Sequence, residues 1–350
     1  MTAKRRVLIV DDSALARQVL TRALAAHPGL EVVGSAGDPY EAREKIIQLA
    51  PDVLTLDLEM PRMDGLTFLG KLMKAHPMPV VVVSSLSARG TQAAMEALRL
   101  GAVEVLAKPS GSAGFGLEAV AGEIAEAVLE ASHARVERRA TAETPRLALS
   151  RPAKPLSGTG LIVLGASTGG TEALRQVFEG LIPGLPPIAM VQHILPGFTA
   201  AYAERLNAAG AVRVQEARDG DLLEPGHAYL APSLAHLRVA QEPDGRYRAR
   251  VQEGPRLRNH LPAVDALFES AALAQGPILG GLLTGMGDDG ARGLLALRRA
   301  GAATFSQDEA SSVVYGMPRA AWEMGASEVQ VPLEGVADHI RRWAEGVTNP

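Results

Sequence analysis

Short apolar runs alternate with helix-length amphipathic stretches through the first third of this chain, and that alternation leaves little choice of architecture. Runs at 7–10, 31–35, 53–56, 80–83 and 103–106 have the length of buried strands. Stretches such as 14–26, 39–49 and 91–100 are long enough to cross over between parallel neighbours. The pattern predicts an α/β domain: a parallel sheet of these five runs, wound with about five helices.

In such a sheet, functional groups gather beyond the carboxyl ends of the strands. Asp11 and Asp12 end the first run, and Asp57 ends the third. Carboxylates crowded at one sheet edge repel one another and call for a cation, and an all-oxygen set suits Mg²⁺. Ser84 follows the fourth run and Lys108 the fifth, which places a hydroxyl and an ammonium to reach an oxyanion on Asp57. Taken singly, each acid also reads as a helix cap.

Between 110 and 159 the character changes to a Gly/Ser stretch, an Ala/Glu-rich helical stretch, and polar residues with Pro145, Pro152 and Pro155. This reads as a last helix followed by a linker. Strand-like runs return at 161–164, 188–192, 228–231, 278–284 and 302–305, so a second α/β domain, also doubly wound, is expected. At 350 residues the chain exceeds the size at which one core keeps growing. The expected division is 1–125, a linker at 126–157, and 158–350.

Composition narrows the function. A net charge of −4 argues against nucleic acid as a partner. The absence of cysteine removes disulfides, thiolate metal sites and cysteine nucleophiles together. Neither a signal-peptide core nor an uninterrupted membrane-length apolar run is present, so a cytoplasmic protein without membrane insertion is expected.

In the second domain, Leu161-Ile-Val-Leu-Gly-Ala-Ser167-Thr168-Gly-Gly is an apolar strand entering a turn of small residues before a helix-like stretch. Small residues allow close backbone approach, and a helix start offers free N–H groups to developing negative charge. Ser167 is placed as a nucleophile; a helix cap or a nucleotide phosphate loop would show the same pattern. Of eight histidines, His193 is best placed as its base, because it closes the apolar strand Ile188-Ala-Met-Val-Gln. The others lie near prolines, in presumed loops or in the tail. Leu282-Leu-Thr-Gly-Met286-Gly-Asp288-Asp289-Gly again runs from strand to glycine-rich turn, and on spacing alone either acid could orient the imidazole.

Two resemblances follow from these motifs. Val-Asp-Asp-Ser, Leu-Asp-Leu-Glu-Met-Pro-Arg-Met-Asp-Gly, Val-Ser-Ser and Ala-Lys-Pro at successive strand ends closely resemble the response-regulator receiver domain. That resemblance implies a flavodoxin-like sheet and phosphorylation of Asp57 by a histidine kinase. It also implies Mg²⁺ arranged by Asp11, Asp12, Asp57 and the backbone at Glu59, with Ser84 and Lys108 sensing the phosphate. Around Val105 the residues are aliphatic, where many receivers place an aromatic switch residue.

Gly-Ala-Ser-Thr-Gly-Gly, Val-Gln-His-Ile-Leu-Pro-Gly-Phe and Leu-Thr-Gly-Met-Gly-Asp-Asp-Gly look like the catalytic domain of the chemotaxis protein-glutamate methylesterases. The resemblance implies Ser167 as nucleophile, His193 as base and Asp289 as orienting acid, with Met286 and Thr168 near the oxyanion. It implies hydrolysis of glutamate methyl esters, and deamidation of glutamine, on cytoplasmic helices of chemoreceptors, with no cofactor for the esterase step. From the domain order, an unphosphorylated receiver is expected to lie over the catalytic face, and phosphorylation of Asp57 to weaken that contact. Asp288 departs from the family, which often has Asn there, and is expected to raise the pKa of one acid of the pair by like-charge repulsion. Ala263 stands where Ser is common. One rival reading is a second domain that only binds a partner. The other, a DNA-binding output domain, would show a short basic helix-turn-helix.

Overall fold

The computed structural model describes residues 3–60, 63–85, 88–108, 121–134, 136, 160–194 and 196–348, apart from the side chains at 84, 85, 88–91, 107, 121, 123, 347 and 348. The chain divides into two units, Met1–Pro145 and Arg146–Pro350.

The first unit alternates strand and helix as β1 (Arg5–Val10), α1 (Ala14–Ala26), β2 (Leu30–Ala36), α2 (Pro39–Leu49), β3 (Val53–Leu56), α3 (Gly65–Ala75), β4 (Val80–Ser85), α4 (Ala88–Leu100), β5 (Glu104–Lys108) and α5 (Ala121–Ala131). Its five strands lie in the order β2-β1-β3-β4-β5, all parallel. Val7 to Val10 and the whole of β3 are buried, as expected of strands covered by helices on both faces. Local signals start the helices. The side chain of Ser13 accepts the Ala16 N–H, Asp38 those of Tyr40 and Glu41, and Asp64 that of Thr67. Two sequence expectations shift here. Helix α4 starts at Ala88, earlier than the predicted 91. Helix α5 runs to Ala131, past the boundary drawn at 125, because Ile124, Ala125, Val128 and Ala131 form one buried stripe.

The second unit is built on β6 (Leu161–Ala166), α6 (Gly170–Gly180), β7 (Ile188–Gln192), α7 (Thr199–Ala209), β8 (Arg213–Glu216), β9 (Leu222–Leu223) and β10 (His227–Leu230). It continues with β11 (His236–Gln241), β12 (Tyr247–Gln252), α8 (Val264–Ala271), β13 (Ile278–Leu282), α9 (Ala291–Arg299), β14 (Ala303–Gln307), α10 (Met317–Glu323), β15 (Val329–Val331) and α11 (Val336–Thr348). Seven strands form a parallel sheet in the order β15-β14-β13-β6-β7-β10-β8. The helices α8 and α9 bury Leu267, Phe268, Leu294 and Leu297 in one cluster with Val163, Val191 and Leu282. Each such side chain stabilises the fold by about 1.5–3 kcal/mol before entropy is counted.

A smaller antiparallel sheet, β11-β12-β9, was not anticipated from sequence. Its signal is the alternation in β12, where Tyr247 and Ala249 are buried and the intervening Arg248 and Arg250 are more exposed.

Candidate active site

Strand β6 sits between β7 and β13, and the chain leaves it toward β7 and returns much later through β13. Such a reversal opens a crevice beyond the strand ends, where side chains from separate loops can meet. Ser167 follows β6 and His193 follows β7. Backbone pairing continues past the strands: Ser167 N–H donates to the Thr284 carbonyl at 3.0 Å, and His193 N–H to the Ala166 carbonyl at 3.1 Å.

The turn that presents Ser167 depends on two glycines. Gly169 has φ of 76°, which favours glycine, and helix α6 begins at Gly170. A Cβ on Gly170 would fall 2.3 Å from Gln192 Oε1. Gln192 cannot move aside, because it is fully buried and its Nε2 donates to the carbonyls of Ser167 at 2.8 Å and His193 at 2.9 Å. One amide thus ties the serine turn to the histidine strand. The carbonyl of Thr168 accepts the Thr284 hydroxyl at 3.0 Å. Met286 is half-buried beside Gly285, where an added Cβ would lie 2.8 Å from that of Ser167.

The three predicted side chains form one hydrogen-bonded series. His193 Nδ1 lies 3.1 Å from Ser167 Oγ, and Nε2 lies 2.9 Å from Asp289 Oδ2. The ring faces are reversed relative to the chymotrypsin-type arrangement, in which Nε2 meets the serine and Nδ1 the acid. An imidazole with its proton on Nε2, toward Asp289, presents a basic Nδ1 to the serine.

Of the two candidate acids, the structure brings Asp289 to the histidine. Burial alone would raise its pKa, but the His193 hydrogen bond and charge, with backbone N–H groups of Asp265 and Val264, hold it below the ordinary carboxylate value. Those amides open α8, whose cap residue Ala263 has no side chain to accept them, so Asp289 caps the helix instead. Asp288 points the other way, half-exposed and 2.6 Å from Arg258 Nη1. The expected like-charge rise does not fall on Asp289. Asp265 is the acid that rises, to about 6: burial drives it, the hydrogen bond from Gly293 opposes it, and the charge of Asp289 adds to it.

Sequence reading passed over His260 because it lies in a loop before proline. Its ring stacks on that of His193, with centroids 4.1 Å apart and planes 5° from parallel. Burial, and then the neighbouring His193, lower its pKa to about 4. One ligand atom each from His193, His260 and Asp289 lie within 4.8 Å of one another, but both ring nitrogens of His193 are engaged by Ser167 and Asp289.

In the first unit, Asp11, Asp12 and Asp57 bring one carboxylate oxygen each within 4.8 Å of one another beyond β1 and β3. Asp11 and Asp57 are buried and Asp12 is exposed. Lys108 Nζ stands 2.8 Å from Asp11 Oδ2 and 2.7 Å from Asp57 Oδ2. Burial raises the Asp57 pKa, an effect Lys108 only partly offsets. Burial lowers that of Lys108, but Asp57 and Asp11 outweigh it and hold the ammonium above its usual value. Glu59 N–H donates to Asp57 Oδ1 at 3.3 Å, and Arg17 fastens the first turn by donating to the Asp11 and Asp12 carbonyls. Asp11 Oδ2 is buried and faces the Lys108 ammonium. Three carboxylates converging at one sheet edge make an all-oxygen donor set, which fits Mg²⁺. Ser84 lies within β4, paired with Ala107, rather than beyond the strand; its side chain is outside the described residues.

A receiver-like acidic edge stands on one α/β unit, and a hydrogen-bonded series of serine, histidine and aspartate on the other, the arrangement of a receiver joined to a hydrolase domain. The family model for the CheB methylesterase matches residues 162–340, and that for the response regulator receiver domain matches residues 7–115. A protein-glutamate methylesterase/protein-glutamine glutaminase 2 of Pseudomonas aeruginosa is 52% identical over 340 residues, covering 97% of this chain and 96% of its own. A protein of Xanthomonas campestris pv. campestris with the same name numbered 1 is 51% identical over 344 residues, covering 96% of each. The crystal structure of the Thermotoga maritima CheB methylesterase catalytic domain matches with TM-score 0.50 and 32% identity, over 52% of this chain and 97% of that one. The chain belongs to the CheB methylesterase family, as its motifs led one to expect.

Proposed function

We propose that this chain hydrolyses the methyl esters of glutamyl side chains, and deamidates glutamyl-site glutamines, on chemoreceptor helices in the cytoplasm, under control of phosphorylation at Asp57. The observation that carries the reading is the hydrogen-bonded series of Ser167, His193 and Asp289 beyond adjacent strands of one sheet.

In this reading Ser167 Oγ attacks the ester carbonyl while its proton passes to His193 Nδ1. Asp289 stabilises the imidazolium through Nε2–H. The tetrahedral oxyanion is met by N–H groups of the Thr168 and Met286 region. Collapse expels methanol, which leaves with the proton from His193. Water then attacks the acyl-serine and gives its proton to Nδ1, and Ser167 regains it as the glutamate carboxylate departs. With glutamine the same steps release ammonia.

In the receiver, the Asp11, Asp12 and Asp57 carboxylates and the Glu59 backbone would hold Mg²⁺, which when bound neutralises charge on the incoming phosphoryl group. Asp57 accepts that group from a histidine kinase, and Lys108, with Ser84, pairs with the phosphoryl oxygens. No helix among the described residues is long and apolar enough to cross a membrane.

Methanol release from methylated receptor tests the reading. Release that requires Ser167, rises with a small-molecule phosphodonor plus Mg²⁺, and rises on removal of residues 1–150 supports it. Release that survives Ser167→Ala returns the second unit to a binding role.

A further inference from the structure

The loop after β12 carries a feature that neither the triad nor the fold requires. Leu257 and His260 exchange both backbone hydrogen bonds, 3.0 Å and 2.9 Å, across a two-residue turn. The central residues, Arg258 and Asn259, have φ of 49° and 68°. Asn tolerates that region, but Arg rarely adopts it, and a strained residue persists only where its surroundings hold it. Arg258 is held at two points: Nη1 lies 2.6 Å from Asp288 Oδ2, and Nε lies 3.4 Å from Asp265 Oδ2. Asp288 immediately precedes Asp289, and Asp265 is the second residue of the helix Asp289 caps. The far end of the same turn is His260, flat against His193.

We propose that Arg258, pinned by Asp288 and Asp265, is a positioning residue that fixes the turn so that the His260 ring lies against His193 and keeps the imidazole in the plane that serves both Ser167 and Asp289. This rests on the reading of His193 as the base. The geometry supports it on three counts. The His193 ring must hold two hydrogen bonds on opposite edges, so rotation about its Cβ–Cγ bond breaks both at once. A parallel ring at 4.1 Å blocks that rotation on one side and excludes water from that face. A neutral His260 imposes no charge repulsion when His193 takes up a proton, and burial favours that neutral form. The tether also gives a use to Asp288, the residue that departs from the family pattern: its carboxylate fastens the loop from the same turn that supplies Asp289.

The test is a charge swap in the full chain, with two readouts. One is the ¹H shift of the His193 ring, which the stacked His260 ring displaces; His260→Asn gives its unstacked position. The other is the rate of Ser167 modification by a sulfonyl fluoride, which needs no knowledge of the natural substrate. Asp288→Arg and Arg258→Asp should each move the His193 signal most of the way to the unstacked position and slow modification roughly tenfold. The double variant Arg258→Asp with Asp288→Arg should recover at least half of both effects. Single variants whose His193 signal stays at the wild-type position, or a double variant no better than the singles, would overturn the proposal. Should wild-type Ser167 resist the reagent, the serine mechanism fails, and the ring shift still decides the tether.

Discussion

Asp289 accepts the backbone N–H of Val264 at 2.7 Å on Oδ2, the same oxygen that meets His193. The acid therefore has two tasks, holding the imidazole and closing the N-terminus of α8. Asp289→Asn should lower kcat on the order of 10⁴-fold, because an amide can present N–H toward Nε2 and favour the wrong tautomer. It should also cost about 1–3 kcal/mol of stability, since one helix-start amide loses its charged acceptor. Turnover and urea unfolding of the same variant separate the two effects.

Gly170→Ala is expected to damage activity without touching a reacting group. Its Cβ would lie 2.3 Å from Gln192 Oε1 and 2.7 Å from the Ala166 Cβ, in a region with no room to relax. Displacing Gln192 loosens the carbonyls of both Ser167 and His193, so a fall in kcat of about 10²-fold is expected, with KM less affected. Steady-state esterase kinetics check it.

Two groups beside the site impose opposite pH dependences on stability. His260 has a folded pKa of about 4 against 6.5 for the free side chain, so its contribution is complete above pH 6.5 and is lost as pH falls toward 4. Asp265 has a folded pKa of about 6 against 3.8, so the folded state holds that proton longer, and stability is lost as pH rises from 4 to 6. The two slopes offset one another in the wild type. Asp265→Asn should therefore steepen the loss of stability on acidification between pH 6 and 4, and His260→Asn should reduce it. Both tryptophans, Trp322 and Trp343, lie in the second unit, so their fluorescence during urea unfolding follows this unit alone.

Mg²⁺ should stabilise the first unit by about 1.4 kcal/mol at tenfold excess over its Kd. Asp11→Asn should abolish that gain, because one charged carboxylate of the oxygen donor set is then a neutral amide. Chelation of Mg²⁺ should likewise remove the response of esterase activity to phosphodonor. Thermal unfolding by circular dichroism with and without Mg²⁺ measures the first effect, and methanol release the second.

The predicted elements were legible where periodicity is strong. The first sheet and the five central strands of the second follow from short apolar runs spaced by helix-length stretches, and β1, β3, β6 and β7 lie where those runs stand; the edge strands β8 and β15 were not read, being short and only partly buried. The sheet of β9, β11 and β12 was missed because its signal is a half-buried alternation carrying arginines, which reads equally as a polar surface segment. The domain boundary drawn at 125 falls inside α5, because an Ala/Glu-rich stretch has no local stop signal and its buried stripe runs on to Ala131.

What the sequence determined by itself is the set of strand ends and the chemistry waiting there: Asp11, Asp57 and Lys108 in one unit, Ser167 and His193 in the other. Those follow from local pattern, since a buried strand must end and the residues at or just past its end must face the sheet edge. Spacing left Asp288 and Asp289 open and the family resemblance pointed to Asp289; the tertiary structure brings Asp289 to the imidazole, turns Nδ1 of His193 toward the serine, and lays His260 on its face. His193 and Asp289 are 96 positions apart, and which of two adjacent acids points inward depends on how a distant turn packs against the start of α8. Local periodicity carries no information about that register. Long-range packing decides it, by satisfying the amides of Val264 and Asp265 with one carboxylate and the charge of Arg258 with the other.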